Sequence, residues 1–201
     1  MKIGIDIDGV LTNTEEFLIH LGSKYNYLNR LSDMKEPKIG HLPTIFNWNQ
    51  EQNDNFWDLY LEYFYNNNSI KPFAAEVIKI LKEKGFEVII ITKKTSFYFA
   101  DQNKTKKYQS IIKEWLKRNN VLYDEIIFTA DSKEVICENK KIDIMIDDEE
   151  KNIIPISKNI PVICFDAHYN RKVKGPNVIR CYTWYDILTK IERFDKNGNI
   201  N

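Results

Sequence analysis

Short apolar runs that end in polar residues are the feature that most constrains the fold of this chain. Three of them, at residues 3–7, 88–92 and 142–146, are rich in β-branched residues and lack the strict alternation of a strand with one wet face. Two further runs, at residues 126–129 and 162–165, have the same character. Such runs are typical of strands that are covered on both faces of a parallel sheet.

Helical patterns separate these runs. Apolar residues recur at helical spacing in two segments, whose faces are formed by Ala74, Val77, Ile78 and Leu81 and by Tyr108, Ile111, Ile112, Trp115 and Leu116. Lys84 and Gly85 end the first pattern, and Asn119 and Asn120 end the second. The alternation predicts an α/β fold with a Rossmann-like parallel sheet and helices on both faces.

Residues 14–69 interrupt this rhythm because they contain no candidate strand. Two helices are expected there, with apolar faces formed by Phe17, Leu21, Tyr25 and Leu28 and by Phe56, Leu59, Tyr60, Tyr63 and Phe64. We therefore expect a core of residues 1–13 and 70–201, with residues 14–69 inserted after the first strand as a small helical cap.

Two local features mark the ends of the inserted helices. Thr12 and Glu15 have the spacing of a capping box at the start of the first helix. A section around Pro37 and Pro43 separates the first helix from the second.

The composition of the chain limits the binding partners and the cellular compartment that can be expected. The chain has 201 residues, and its 29 basic and 29 acidic side chains give a formal net charge of zero. It therefore lacks the overall positive field that favours nucleic acid or anionic membranes, and neither is expected as a partner. No apolar segment approaches the roughly 20 residues that span a bilayer, and the N-terminus does not resemble a signal peptide, so a cytoplasmic protein is expected.

The three cysteines support the same expectation. Cys137, Cys164 and Cys181 are widely spaced, and no pair has zinc-ligand or disulfide-framework spacing. We expect them to be reduced and mostly buried.

Acidic residues follow two of the predicted strands. Asp6 and Asp8 come at the end of the first strand and share one side of the chain, and Gly9 allows a close turn that offers N–H groups to an anion. Asp147 and Asp148 follow the run at residues 142–146. In open α/β sheets ligands bind beyond the carboxyl ends of the strands, so we expect these acids to share one crevice.

Carboxylates gathered in a crevice repel one another by roughly 4 kcal/mol per pair at ~4 Å and an effective dielectric near 20. A hard divalent cation removes this repulsion, and oxygen ligands of this kind suit Mg²⁺. The same cation shields phosphoryl oxygens from an attacking carboxylate. The sequence therefore predicts a Mg²⁺ site that serves phosphate chemistry.

Candidate phosphate ligands follow two other strands. Thr92 ends the run at residues 88–92, and its hydroxyl can bond a phosphoryl oxygen, with Lys93 as a further contact. Lys133 follows the run at residues 126–129, where its ammonium can neutralise charge shared with Asp6. Lys140 and Lys141 compete with Lys133 for this role.

In this order the residues resemble the four motifs of the haloacid dehalogenase superfamily. The resemblance implies that Asp6 is the nucleophile that forms an aspartyl-phosphate, and that Asp8 is the general acid and base. It implies that Mg²⁺ is bound by Asp6, the Asp8 backbone carbonyl and Asp147, with Asp148 as an alternative or outer ligand. Thr92, Lys93, Lys133 and Gly9 would hold the phosphoryl group.

Within that superfamily the chain is most similar to the 5'(3')-deoxyribonucleotidase group and its bacterial relatives. The similar stretches are residues 126–133, 145–152 and 166–171, together with Trp184 at the start of the final helix. The resemblance implies a small phosphate ester as substrate, such as a nucleoside monophosphate, with Phe46, Trp48 and Trp57 packing in the cap or stacking on a base.

The chain departs from the nucleotidase pattern in two places. Lys93 and Lys94 follow Thr92 where the group usually has a serine and a proline, and Glu149 and Glu150 follow the acidic pair. A phosphatase for a non-nucleotide ester, a phosphotransferase and a non-catalytic phosphate-binding protein are the alternatives. The absence of GxxxxGK[ST] and GxGxxG motifs argues against P-loop hydrolases and dinucleotide oxidoreductases.

Overall fold

The computed structural model describes residues 1–32, 34–35, 42–94 and 101–197. In these residues six strands form one parallel sheet in the order β3-β2-β1-β4-β5-β6. The strands are β1 (Lys2–Ile5), β2 (Glu87–Thr92), β3 (Glu125–Phe128), β4 (Ile144–Asp147), β5 (Val162–Phe165) and β6 (Val178–Cys181). The predicted parallel α/β sheet is confirmed, and each predicted strand agrees with an observed one to within two residues at either end.

The strand β6 was not predicted from the sequence. It lies at the edge of the sheet, and its side chains alternate between partly and fully buried positions. Arg180 interrupts its apolar run, since this side chain turns away to pair with Asp166 at 2.7 Å. An edge strand of this kind lacks the continuous apolar signal of the central strands.

Eight α-helices lie in the described part of the chain. They are α1 (Thr14–Asn29), α2 (Leu42–Phe46), α3 (Gln50–Asn67), α4 (Ala74–Glu83), α5 (Gln102–Arg118), α6 (Lys133–Lys140), α7 (Glu150–Ile156) and α8 (Trp184–Asn197). The helix ends predicted at Lys84 and at Asn119 agree with the C-caps of α4 and α5. Trp184 begins α8, as expected.

Alternate residues of the central strands enter two separate apolar clusters. Ile3, Ile5 and Ile90 pack on the face that also contacts the buried sides of α4, α5 and α8. Ile89 and Met145 point the other way, into a smaller cluster with α6 and α7. The sheet is therefore covered on both faces, as predicted.

The helices α1, α2 and α3, which we call the helical insertion, lie between β1 and α4 in the chain. Tyr25, Trp48 and Phe56 form its buried aromatic centre, and ring centroids of Tyr25 and Trp48 are 5.1 Å apart. Phe46 stacks on Trp48 and is buried as well. The division into a core of residues 1–13 and 70–201 and a cap of residues 14–69 stays a prediction.

The buried faces of the insertion differ from the predicted ones. Leu28, Leu59 and Tyr63 are exposed, whereas Leu61 and Tyr65 are buried. The face of α3 is rotated because this helix packs against α5 as well as α1. Two hydrogen bonds fix that contact, from Arg118 to the Tyr65 carbonyl at 2.6 Å and from the Trp115 indole to the Asn68 carbonyl at 2.9 Å.

The predicted capping box at Thr12 is wrong. Asn13 is the N-cap of α1, and no side chain caps the helix. Thr12 instead pairs with Ile70 in an antiparallel bridge, and its hydroxyl donates to the Ile7 carbonyl at 3.3 Å. It therefore joins the two ends of the insertion. Pro37 lies outside the described residues, and Pro43 lies within α2.

The three cysteines are buried free thiols, as expected. Burial raises the pKa of Cys137 to about 12, so this thiol is unreactive at neutral pH. None of the helices in residues 1–32, 42–94 and 101–197 has the length and apolar character needed to cross a membrane. The cytoplasmic localisation stays a prediction.

Candidate active site

The carboxyl ends of neighbouring strands bring the predicted site residues together. The chain leaves the central strand β1 towards β2 and β3 and later returns to build β4, β5 and β6 on the other side. A crevice opens where the direction reverses. Asp6 lies beside Asp147 there, because its N–H extends the pairing of β1 with β4 by donating to the Ile146 carbonyl at 3.0 Å.

Three carboxylates meet at this point. Asp6, Asp147 and Asp148 are all buried, and one oxygen atom from each lies within 4.8 Å of the others. Burial raises the pKa of Asp6 to about 7; Lys133 opposes this shift, while Asp147 and Asp8 add to it. Burial, together with Asp147 and Asp6, also raises the pKa of Asp148. The site is thus short of positive charge.

Lys133 is the cation that the structure places among these acids. It begins α6, its side chain is 2% exposed, and its ammonium lies 2.8 Å from both Asp6 Oδ1 and Asp147 Oδ2. Burial opposes its charge, but Asp147 and Asp6 outweigh burial and raise the pKa of Lys133. Its competitor Lys140 pairs instead with Glu125 at 2.6 Å.

The charge and the donor atoms of the cluster fit a divalent cation. Three ionised carboxylates with one ammonium leave two negative charges, and all the available ligand atoms are oxygens. Hard divalent ions prefer such ligands. Burial raises the pKa values of Asp6 and Asp148 although Lys133 opposes both shifts, which is consistent with a shortage of positive charge at the cluster.

Asp147 is held by its own loop. Its Oδ1 accepts hydrogen bonds from the Glu149 N–H at 2.9 Å and from Asn152 Nδ2 at 3.2 Å. These donors come from the first turn of α7 and the residue before it. The carboxylate is fully buried, so these bonds and Lys133 replace the water it has lost.

Asp148 is fixed by the loop after β5. Tyr169 donates its hydroxyl to Asp148 Oδ2, and the fully buried Asn170 donates its amide to the Asp148 carbonyl at 2.7 Å. Arg180 donates in turn to Asn170 Oδ1 at 2.8 Å. This chain of donors holds the Asp148 side chain towards the cluster.

Gly9 lies in the turn between β1 and α1. Its N–H donates to the hydroxyls of Thr12 at 3.2 Å and Thr14 at 2.9 Å. Its contact with phosphate stays a prediction. Its φ is +79°, and a Cβ atom there would overlap the Asp148 carboxylate and lie 2.9 Å from the Tyr169 hydroxyl. Glycine is required because the turn passes directly over Asp148.

The Asp8 side chain is not part of the acidic cluster. Its Oδ1 lies 3.3 Å from the Tyr65 hydroxyl of α3, and its Oδ2 lies 3.4 Å from Lys94 Nζ. It faces the helical insertion. The two aspartates of the first motif therefore have separate environments.

Thr92 and Lys93 line the cavity that also contains Asp6 and Lys133. Thr92 Oγ1 accepts the Lys94 N–H at 3.1 Å, which leaves its hydroxyl hydrogen available to a ligand. Lys93 is partly buried at the rim. Their position at the end of β2, next to β1, agrees with the predicted phosphate contacts without testing them.

A cavity of about 430 Å³ joins the acidic cluster to the helical insertion. Its insertion side includes Leu18, Pro43 and Trp57, and its core side includes Asp6 and Lys133. This volume lies within the range of small-molecule sites. Of the three aromatics considered for stacking, Trp57 lines the cavity, while Phe46 and Trp48 are buried in the insertion.

Sequence reasoning missed several residues that hold the site. Tyr65, Lys94 and Tyr169 contact acidic side chains, and Asn170 binds the Asp148 backbone carbonyl, although all four lie far from the acids in the chain. A signal existed for Lys94, since two lysines follow Thr92 in place of the usual serine and proline. A signal also existed for Tyr169 and Asn170, which lie in the stretch 166–171 that resembles the nucleotidase group. The contact of Tyr65 depends on how the insertion and the core meet in three dimensions.

A family model described as "5' nucleotidase, deoxy (Pyrimidine), cytosolic type C protein" matches residues 1–194 of the chain. The chain is 28% identical over 194 residues to "Putative nucleotidase YqfW" of Bacillus subtilis, covering 94% of this chain and 92% of that protein. A nucleotidase of Clostridium acetobutylicum is 22% identical over 203 residues, covering 100% and 98%.

Solved structures share the fold. One titled as a predicted phosphatase from Clostridium acetobutylicum matches with a TM-score of 0.67 and 16% identity over 96% of this chain and 98% of that one. A haloacid dehalogenase-superfamily hydrolase from Ehrlichia chaffeensis matches with a TM-score of 0.58 and 16% identity over 96% and 97%. These likenesses confirm the fold that the four motifs predicted.

Proposed function

Since the chain belongs to the family described as 5' nucleotidase, deoxy (Pyrimidine), cytosolic type C, we propose that it is a Mg²⁺-dependent phosphomonoester hydrolase that acts through an aspartyl-phosphate on Asp6. The observation that carries the proposal is the cluster of Asp6, Asp147 and Asp148 around Lys133 at the switch point of the sheet. Its charge, its oxygen ligands and its position suit phosphoryl transfer assisted by a divalent cation.

Mg²⁺ would be held by the carboxylates of Asp6 and Asp147, with Asp148 as a further ligand and the Asp8 carbonyl as the predicted fourth group. When bound, the cation would shield the negative charge of the phosphoryl oxygens from the attacking carboxylate. Lys133 bridges Asp6 and Asp147 and contributes a second fixed positive charge beside the nucleophile.

Asp6 is the proposed nucleophile. Its carboxylate attacks phosphorus, the bond from phosphorus to the ester oxygen breaks, and the phosphoryl group stays on Asp6. Asp8, which faces the insertion, donates a proton to the leaving oxygen and later removes one from the water that hydrolyses the intermediate. The Thr92 hydroxyl and Lys93 hold the phosphoryl oxygens.

The proposed substrate is a nucleoside monophosphate or deoxynucleotide. Family membership supports this class, and the cavity of about 430 Å³ extends from Asp6 to Trp57 of the insertion. The insertion would act as a cap that excludes water and contacts the leaving group.

The test is phosphate release from a panel of nucleoside 5'- and 3'-monophosphates, deoxynucleotides and sugar phosphates, each measured with Mg²⁺ and with EDTA. We expect release that requires Mg²⁺ and is fastest with a nucleotide. Faster release from sugar phosphates would refute the substrate class but leave the mechanism. Equal release in EDTA would refute the metal-dependent mechanism.

A further inference from the structure

Lys94 is a buried cation that the proposed mechanism does not use. It comes two residues after the end of β2, and its side chain is 10% exposed. Burial of an ammonium group costs several kcal/mol unless other groups compensate its charge. Burial does lower the pKa of Lys94, with Asp8 acting in the opposite direction.

The compensating groups come from two separate parts of the molecule. One is Asp8 after β1, whose Oδ2 lies 3.4 Å from the ammonium. The other is α3, because the ammonium lies 3.4 Å from the centroid of the Trp57 ring and 5.3 Å from that of Phe64. Both distances are within the range of cation–π attraction, which strengthens when the cation is desolvated.

Asp8 is linked to the same helix on its other side. Its Oδ1 lies 3.3 Å from the hydroxyl of Tyr65, which is also on α3. One carboxylate oxygen of Asp8 therefore contacts α3 directly, and the other contacts it through Lys94 and Trp57. A displacement of α3 would weaken both links together.

We propose that Lys94 is a positioning residue that couples the helical insertion to Asp8, so that Asp8 is oriented for proton transfer only while α3 packs over the site. This inference rests on the proposed function, because it assigns Lys94 a role through the general acid. Lys94 does not touch the phosphoryl group in this role. It holds Oδ2 of Asp8, so that Oδ1 is the oxygen that passes the proton to the leaving group.

A direct role of Lys94 in binding substrate predicts different kinetics. Loss of a substrate contact that is equal in ground and transition states raises KM and leaves kcat unchanged. Loss of Asp8 orientation lowers kcat, because proton transfer to the leaving group is weakened while binding is not. The changes in kcat and in KM therefore distinguish a positioning role of Lys94 from a role in substrate binding.

The first experiment compares kcat and KM of wild type, Lys94→Met, Lys94→Arg and Lys107→Met on the best ester of the panel. Lys94→Met is expected to lower kcat by about tenfold or more while KM changes by less than about twofold. Lys94→Arg should recover part of the loss, because a guanidinium also stacks on tryptophan and pairs with a carboxylate. An unchanged kcat, or a higher KM at unchanged kcat, would overturn the proposal.

Lys107→Met is the matched control. Lys107 also links a core helix to α3, through an ion pair with Glu62 at 2.9 Å, but both side chains are more than half exposed. Such an exposed pair contributes little, so kcat and KM are expected to stay within about twofold of the wild-type values. A kcat loss in Lys107→Met as large as that in Lys94→Met would show that any weakened contact with α3 is sufficient, and would overturn the specific role of Lys94.

A double-mutant cycle tests the path through α3. If Lys94 acts together with Trp57, Lys94→Met should cost clearly less in a Trp57→Leu background than in wild type. Fully additive losses in kcat would mean that the two residues act independently, and would overturn the coupling.

Chemical labelling tests the contact without relying on activity or on the folding of a lysine variant. In the wild-type protein, reductive methylation followed by mass spectrometry should modify Lys94 at least about fivefold more slowly than Lys117, an exposed lysine of α5, and Trp57→Leu should reduce this difference. Equal labelling of the two lysines in wild type would overturn the proposal. A wild-type protein that hydrolyses no ester would refute the proposed function and with it the catalytic role of Lys94, while slow labelling would still identify the contact with α3.

Discussion

Individual side chains determine the chemistry of this site through their burial. Asp6 follows β1 and Asp147 is the last residue of β4, and both side chains are buried at the end of the sheet. Lys133 neutralises part of their charge, yet the pKa of Asp6 remains raised to about 7. Asp6, the proposed nucleophile, should therefore lose a proton when a cation binds, so that metal binding and protonation oppose each other.

Gly9 offers a test of how tightly this cluster is packed. Gly9→Ala would place a methyl group against the Asp148 carboxylate and the Tyr169 hydroxyl, so Asp148 must move. We expect the Mg²⁺ dissociation constant from titration calorimetry to rise by about tenfold or more, as happens when the support of a metal ligand is lost.

The control for this change is Gly85→Ala. Gly85 also has a positive φ, +83°, but a Cβ atom there would meet nothing within 4 Å. Both variants carry the same backbone strain, of about 1 kcal/mol, and only Gly9→Ala also displaces a ligand. Equal Mg²⁺ affinity in the two variants would contradict the placement of Asp148 in the metal site.

The raised pKa of Asp6 makes Mg²⁺ binding depend on pH. Burial is its main cause, so the neutral form is favoured in the metal-free protein below about pH 7. Because Mg²⁺ requires the carboxylate, binding should release protons, and the apparent affinity should rise from about pH 5.5 to about pH 8. Calorimetry in two buffers of different ionisation enthalpy measures both quantities.

The raised pKa of Asp6 also makes the free energy of unfolding depend on pH. A folded-state pKa above the ordinary value of 3.8 means that the metal-free protein loses stability as the pH rises through about 7, and Mg²⁺ should remove that loss. Thermal unfolding with and without Mg²⁺ measures it. A Mg²⁺ affinity and an unfolding temperature that both stay constant across this range would contradict the assignment.

Whole elements determine which residues can meet. Asp6, Thr92, Lys133 and Asp147 could be predicted from the sequence because each lies at or after the end of a predicted strand. In a doubly wound sheet the carboxyl ends of the parallel strands lie along one edge. The spacing of apolar residues predicted the helices of the insertion but not which side of each helix is buried. The face of α3 could not be predicted from spacing alone, since its aromatic residues surround most of the helix and α5 decides which of them is buried.

The contact of α1 with α2 provides a prediction at this scale. A Cβ atom at Gly22 would overlap the Phe46 ring, which is fully buried and stacked on Trp48. Gly22→Ala should therefore destabilise the protein by about 1–3 kcal/mol through overpacking, although alanine favours an isolated helix by about 1 kcal/mol. Denaturant unfolding measures the difference.

His20→Ala is the control for helix propensity, because His20 is an exposed position of the same helix. Its effect should stay within about 0.5 kcal/mol. If Gly22→Ala stabilises the protein as much as propensity alone predicts, the close approach of α1 to α2 is not present in solution.

At the scale of the whole molecule, the order of four motifs along the chain was enough to identify the superfamily fold. The alternation of strands and helices fixed the sheet, and the interruption at residues 14–69 located the helical insertion. Contacts across the cavity were beyond the sequence, because Lys94, Tyr65 and Tyr169 reach the acids from three separate segments. Such contacts appear only once the sheet, the insertion and the last loops are assembled.

The central claim is that Asp6 carries the phosphoryl group, and the most direct measurement is to trap that intermediate. The enzyme is mixed with its best substrate and Mg²⁺, quenched in acid and treated with borohydride, which reduces an acyl phosphate to an alcohol. Mass spectrometry should then find homoserine at position 6, and only when both substrate and Mg²⁺ are present; Asp6→Asn should lack both the product and turnover. Phosphate release without modification of Asp6, or near-wild-type turnover in Asp6→Asn, would contradict the account.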